Sequence, residues 1–181
     1  LEEAGNNKLS VEVYDICEKR YPRNQQAGLR AAIYLFNPQI QYKAIDGKLC
    51  ADDNSIVEAI YKHRDKYAKV LQNTDDDFYI YMESFGKNKE KDTIQKFFKQ
   101  NDATIAIWKT LYYLDDSLPF VIETVKDKGK NEFVECTSAD EIIVAFRDNN
   151  ISDDAWNSFL DGRFYAWLEK QPLQDEIQAV N

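Results

Sequence analysis

His63 is the one histidine in the chain, so any reaction needing an imidazole as base or ligand must use it. It stands in Tyr61-Lys62-His63-Arg64-Asp65, a charged helical stretch with no serine or cysteine at nucleophile spacing, which favours a solvated residue over a general base. Cys17, Cys50 and Cys136 are far apart and form no Cys-x-x-Cys pair. Zinc would need a spatial coincidence, whereas three unpaired thiols suit buried, reduced side chains in the cytoplasm. Asp115-Asp116 and Asp153-Asp154 could in principle divide acid and base roles in a hydrolysis, and Asp75-Asp76-Asp77 invites comparison with a calcium loop. Helix capping explains these acids better, and the run lacks the alternating ligands, Gly and terminal Glu of an EF-hand. Lys87, Lys89, Lys91, Lys96 and Lys99 with Phe97 and Phe98 resemble a nucleic-acid strip, but both rings have the spacing of a helix core. The expectation is no catalytic set, no cofactor and no metal.

Charge points the same way. The 181 residues carry a formal charge of −9, against a general phosphate-binding surface, because nucleic-acid affinity rests on Lys and Arg displacing counterions. With 44% hydrophobic and 13% aromatic residues the chain has enough apolar surface for a sizeable core, as one domain or two halves sharing one, and no run is long enough to span a bilayer. The first residue is Leu1, and Leu1 to Lys8 has no apolar segment of signal-peptide type, so no export signal is expected within it and the chain reads as cut from something longer.

The elements that would position these residues follow from caps and periods. The stretch Asp161 to Glu169 places Phe164, Trp167 and Leu168 on one helical face, and Asp75 to Glu83 does so with Phe78, Tyr81 and Met82. Ser10 reads as the cap of a helix to Tyr21, and Asn24 caps Gln25 to Phe36 with Leu29, Ala32, Ile33 and Phe36 inward. Tyr42 to Cys50, centred on Asp46-Gly47, reads as a type I′ hairpin. Asp52 and Ser55 open a helix, Ser55 pairing with Glu58 in a capping box, and it continues past Tyr67 to Leu71. Gly86 to Lys91 reads as a loop, followed by a helix to Gln100. Asp102 then caps a helix to Leu114 with Ile105, Trp108, Leu111 and Tyr112 as its stripe. Phe120 to Val125 and Asn131 to Cys136 read as strands flanking Asp127 to Lys130. Ser138 with Glu141 makes a capping box before Ile142, Ile143, Ala145 and Phe146, and Ser152 opens a turn containing Trp156 and Phe159. Pro172 ends the last helix.

This order reads as one unit written twice. A shift of 78 positions pairs Ile16 with Ile94, Asn24 with Asp102 and Tyr34 with Tyr112. Beyond the hairpin a shift of 86 pairs Ile56 with Ile142, Phe78 with Phe164 and Glu83 with Glu169. The eight extra residues then fall in the second hairpin, where an even lengthening keeps each side chain on its own face. The expected fold is mainly α (α+β): a single domain of two tandem repeats, 10–86 and 92–171, each with a small β-hairpin between helix pairs, and a tail at 172–181.

Tyr112-Tyr113-Leu114-Asp115, Leu118-Pro119-Phe120, Ser138 to Ile143 and Asp161 to Leu168 together resemble helical accessory repeats appended to bacterial signalling or chaperone-type proteins; the first copy departs, with Tyr81 where the second has Trp167. The resemblance implies an interaction role and brings no catalytic residues. The function expected is a non-enzymatic protein-protein interaction or scaffold module. The alternatives are an acidic inhibitor or nucleic-acid mimic binding a basic partner and, third, an enzyme of unknown class. A protein partner is expected, with nucleic acid and membrane disfavoured. Tyr79 and Tyr165 are the candidate partner contacts: they match under the shift of 86 and sit about 100° around the helix from the preceding core phenylalanine, at the edge of its apolar face.

Overall fold

Short polar side chains set most of the helix starts. In the computed structural model, which describes residues 2–126 and 130–170, Asn24 Oδ1 accepts from the Ala27 amide at 3.1 Å and opens α2 (Gln25–Phe36). Asp102 Oδ1 accepts from Thr104 and Ile105 at 2.9 and 3.0 Å and opens α7 (Ala103–Leu114). Ser152 Oγ accepts from Ala155 at 3.1 Å and opens α9 (Asp153–Leu160). Each cap satisfies donors that an isolated helix start leaves unpaired. Two boxes differ from expectation. The first is Asp52 with Ser55, not Ser55 with Glu58: Asp52 Oδ1 takes the Ser55 amide at 2.8 Å, Ser55 Oγ takes the Asp52 amide at 3.1 Å, and α3 (Asp53–Lys62) follows. At α8 (Ala139–Asp148) Ser138 Oγ accepts from the Glu141 amide, but the Glu141 carboxylate reaches one residue further back, to the amide and hydroxyl of Thr137 at 2.7 and 2.9 Å.

The first helix, α1 (Glu2–Tyr14), runs through Ser10 instead of starting there and continues as a π-helical stretch over Asp15–Arg20, closed by the Tyr21 amide on Ile16 O at 3.0 Å. Further along come α4 (Arg64–Val70), α5 (Asp77–Ser84) and α6 (Asn88–Gln100). Gly86, at φ +76, ends α5 in a Schellman motif: the Lys87 amide bonds Met82 O at 2.8 Å and the Gly86 amide bonds Glu83 O at 3.1 Å. Because that motif turns the chain in so few residues, α6 starts at Asn88, inside the segment expected to be loop.

Two antiparallel hairpins complete the described residues: β1 (Tyr42–Lys43) with β2 (Leu49–Cys50), and β3 (Phe120–Lys126) with β4 (Lys130–Cys136). The first is not a type I′ turn. The Gly47 amide bonds Ala44 O and the Ala44 amide bonds Lys48 O, both at 2.8 Å, and Gly47 is left-handed at φ +88, the geometry of a three-residue connection whose glycine forms a bulge. Residues 127–129 and Pro172 lie outside the described residues. The chain is thus mainly helical with two small two-stranded sheets.

Elements from both ends of the sequence share one core. Tyr42, Ile60, Tyr67 and Phe78 pack in the same buried cluster as Ile94, Leu111, Phe120 and Trp167, the last from α10 (Arg163–Leu168). A smaller cluster, Ile16, Ala27, Ala31, Tyr34 and Ile80, joins the π-helical stretch and α2 to α5. Here the expected inward residues of α2 are corrected: Ala32 is buried, but Leu29, Ile33 and Phe36 are 62%, 42% and 62% exposed. The buried and exposed rows have the same spacing, displaced by two residues or about 200° of helix. Small residues occupy the buried row because the backbones come close; a Cβ on Gly28 would lie 3.5 Å from Cys17 Cα. Ile143 on α8 and Trp156 on α9 are likewise exposed, while Ile142, Ala145 and Ala155 face the core.

Candidate functional site

The polar residues singled out from the sequence are mostly spent on the fold. His63 Nε2 lies 3.0 Å from Asp46 Oδ2 and ties the end of α3 to the first hairpin turn. The Lys48 amide, and then His63, hold the Asp46 carboxyl below its ordinary pKa. The three cysteines are free thiols; burial raises the Cys50 and Cys136 pKa values. Asp115 Oδ1 caps Ser117, accepting its amide at 2.9 Å and its hydroxyl at 2.6 Å. Of the lysine strip, Lys87 pairs with Asp53, and Lys91 with Glu83 at 2.7 Å. Among the described residues no group of three or more His, Cys, Asp or Glu side chains is arranged to hold a metal ion.

The Asp75 to Asp77 run does more than cap. Asp76 Oδ1 accepts from the Phe78 amide at 3.0 Å, and burial raises its pKa. Asp75 Oδ2 accepts from Asn24 Nδ2 at 3.2 Å, and Asp77 Oδ2 accepts from the Tyr34 hydroxyl at 3.3 Å. Asp75 and Asp77 therefore fasten the start of α5 to both ends of α2 while Asp76 caps it, a tertiary use that a reading of local periods does not reveal.

The two candidate contact tyrosines part company. Tyr79 is 1% exposed and its hydroxyl donates to Leu71 O at 2.8 Å, so its ring offers no surface to a partner and it is withdrawn as a contact. It widens the buried stripe of α5, because α4 and the turn after it close over that side of the helix. Tyr165 is 56% exposed, with its ring centroid 5.1 Å from Lys109 Nζ, and Lys109 pairs with Glu169 at 2.8 Å.

A larger concavity lies elsewhere, an open groove of about 940 Å³. Its floor is α7, through Ala103, Ile107 and Trp108, and one wall is the corner where α3 meets α4, with Tyr61, Arg64, Asp65 and Lys69. The other wall is the outer face of the longer hairpin. Register places Val121 opposite Glu135 and Glu123 opposite Phe133, and all four line the groove while Phe120, Ile122 and Thr124 turn into the core. Asn157, Asp161 and Arg163 close one side.

Cations and rings organise this floor. The Arg64 guanidinium is 5.5 Å from the Trp108 ring centroid and 5.8 Å from that of Tyr61. Arg163 is 5.0 Å from Trp108 and 4.6 Å from Phe120, and its Nη2 donates to Val121 O. All four distances lie within the reach of cation–π attraction, so the arginines are held in place before anything binds. Trp108 itself is 5% exposed, whereas Phe133 is 68% and Tyr61 38% exposed, leaving aromatic surface on both walls. Glu123 is anchored by the Ser152 hydroxyl at 3.1 Å. Fixed charges of both signs thus rim an aromatic floor.

Sequence reasoning missed this set because its members come from seven separate elements. The legible signal was Phe133: in a strand whose alternate residues face the core, it is the large apolar residue on the other face. No family model, no curated protein and no solved structure matches the chain.

Proposed function

We propose that this protein is a non-enzymatic interaction module and that the groove between the α3–α4 corner and the longer hairpin receives a peptide segment of a protein partner. The observation carrying this reading is exposed aromatic surface on facing walls, Tyr61 and Phe133, above a floor where Arg64 and Arg163 are fixed against Trp108. Aromatic and arginine side chains held in place are the residues that contribute most to protein recognition. An apolar side chain of the partner fills the floor, and the rim of Arg64, Lys69, Asp65 and Glu135 pairs with charges flanking it. The module is built from a duplicated unit, 10–86 and 92–171. Support for this lies in position: Asn24 and Asp102 cap α2 and α7, each of those helices leads into a hairpin, and each hairpin into a capped helix.

The test is selection from a random-peptide display library on the wild-type protein. Expected are peptides with an aromatic or leucine anchor that lose binding to Phe133→Asp and Tyr61→Ala, and that hold on from about 0.05 to about 0.5 M salt, where exposed charge pairs are screened. Peptides that bind both variants as well as wild type place the interaction elsewhere and overturn the reading. Selection of lysine- and arginine-rich peptides whose binding collapses with salt supports the acidic-decoy alternative instead.

A further inference from the structure

A second cavity, of about 310 Å³, opens where α3, α5, the start of α6 and the end of α7 meet. Its apolar lining is Ile56, Val57, Phe78, Met82 and Leu114, and its rim is Asp53, Tyr81, Lys87, Glu90 and Tyr113. The Schellman turn at Gly86 sets Lys87 at the mouth, where its ammonium pairs with the Asp53 carboxylate. That pair neutralises itself. Glu90 is half-buried and has no hydrogen-bond or ion-pair partner among the described residues, so the rim keeps one uncompensated negative charge. Tyr81 adds an aromatic ring, whose face attracts cations and not anions, while the Tyr113 ring already carries Lys170, its Nζ 4.8 Å from the centroid.

We infer that this cavity is a binding site for a small organic amine with an apolar body: the body enters among Met82, Phe78 and Leu114, and the ammonium stays at the rim against the Glu90 carboxylate and the Tyr81 ring. Three independent features select this chemistry. Net charge at the mouth excludes a carboxylate, which would face Glu90 while Lys87 is already engaged. The floor supplies no polar partner for a sugar or a nucleobase. The volume, near the lower end of the roughly 300–1,000 Å³ range of ligand pockets, suits a single ring or a short branched chain and not a peptide. The site is separate from the groove and does not depend on it.

Met82 makes the test direct, because it is the one methionine in the chain and lines this cavity. With methionine carrying a carbon-13 methyl label, titration with phenethylamine should move that single resonance saturably. Glu90→Gln should weaken binding about fivefold, the effect of losing one partly exposed ion pair. Leu114→Phe, which fills the cavity, should abolish the shift, and if that variant does not fold, the Glu90→Gln comparison decides. The same titration with 3-phenylpropionate, matched in shape and opposite in charge, should produce no saturable shift. Equal or tighter binding of the acid, wild-type affinity in Glu90→Gln, or no saturable response to the amine would each overturn the assignment.

Discussion

Gly162 has two separate reasons to lack a side chain. Its φ is +83, a left-handed conformation that costs other residues roughly 1–2 kcal/mol, and a Cβ there would meet Ile105 Cγ1 at 2.5 Å. Gly162→Ala is therefore expected to destabilise the fold by about 2–4 kcal/mol, strain and overpacking together, read as a lowered denaturant midpoint with unchanged slope. Glu83 permits a prediction about pH. Burial alone would raise its pKa, but Lys91 at 2.7 Å and Arg20 at 3.1 Å together hold it below the ordinary glutamate value. A carboxyl depressed in the folded state stabilises the protein above its unfolded pKa, and that contribution is lost as pH falls through the folded pKa. Glu83→Gln should thus be less stable than wild type by about 1 kcal/mol at neutral pH, with the gap closing as pH drops from about 5 to about 3. Thermal melts of both proteins across that range check it. At this scale the sequence was informative about caps, because a cap is a short-range event between a side chain and an amide two or three residues on. It was silent on Glu83, whose partners are 63 and 8 positions away.

Among the elements, α2 separates what a period can and cannot say. Its helical repeat is legible, and so are its ends at Asn24 and Asn37. Which of two rows faces inward is not, because both repeat at the same interval and the bulkier row is the exposed one. The deciding quantity is how closely the π-helical stretch and α5 approach, a tertiary distance with no trace in local hydrophobicity. Two substitutions distinguish the rows. Ile33→Ser, on the exposed side, should change stability by no more than about 0.5 kcal/mol, whereas Ala31→Leu should overpack the buried side and cost about 1–3 kcal/mol. Equal effects, measured by urea unfolding, would reverse the assignment of faces. The hairpins were legible as elements for the opposite reason: strand alternation commits each residue to a face, and Phe120 and Ile122 share the one that is buried. The groove lining depends on how that hairpin stands relative to α4 and α7, which no segment encodes by itself.

Across the whole molecule, the main cluster collects Tyr42, Phe78 and Tyr67 with Leu111, Phe120 and Trp167, so neither proposed repeat owns it, and only the smaller cluster of Ile16, Ala27, Ala31, Tyr34 and Ile80 lies wholly within 10–86. Fragments 10–86 and 92–171, made separately, should each lack a cooperative thermal transition, because each leaves half of the main cluster facing water. A sharp melt from either fragment would show that it carries an independent core. The three indoles of this molecule occupy unlike surroundings: Trp167 and Trp108 are 1% and 5% exposed, Trp156 55%. Native fluorescence is therefore a sum of unequal emitters, one reachable by acrylamide and two shielded from it. The fraction quenched measures how much of the interior has opened, with the chain supplying its own optical gauge of whether it is folded.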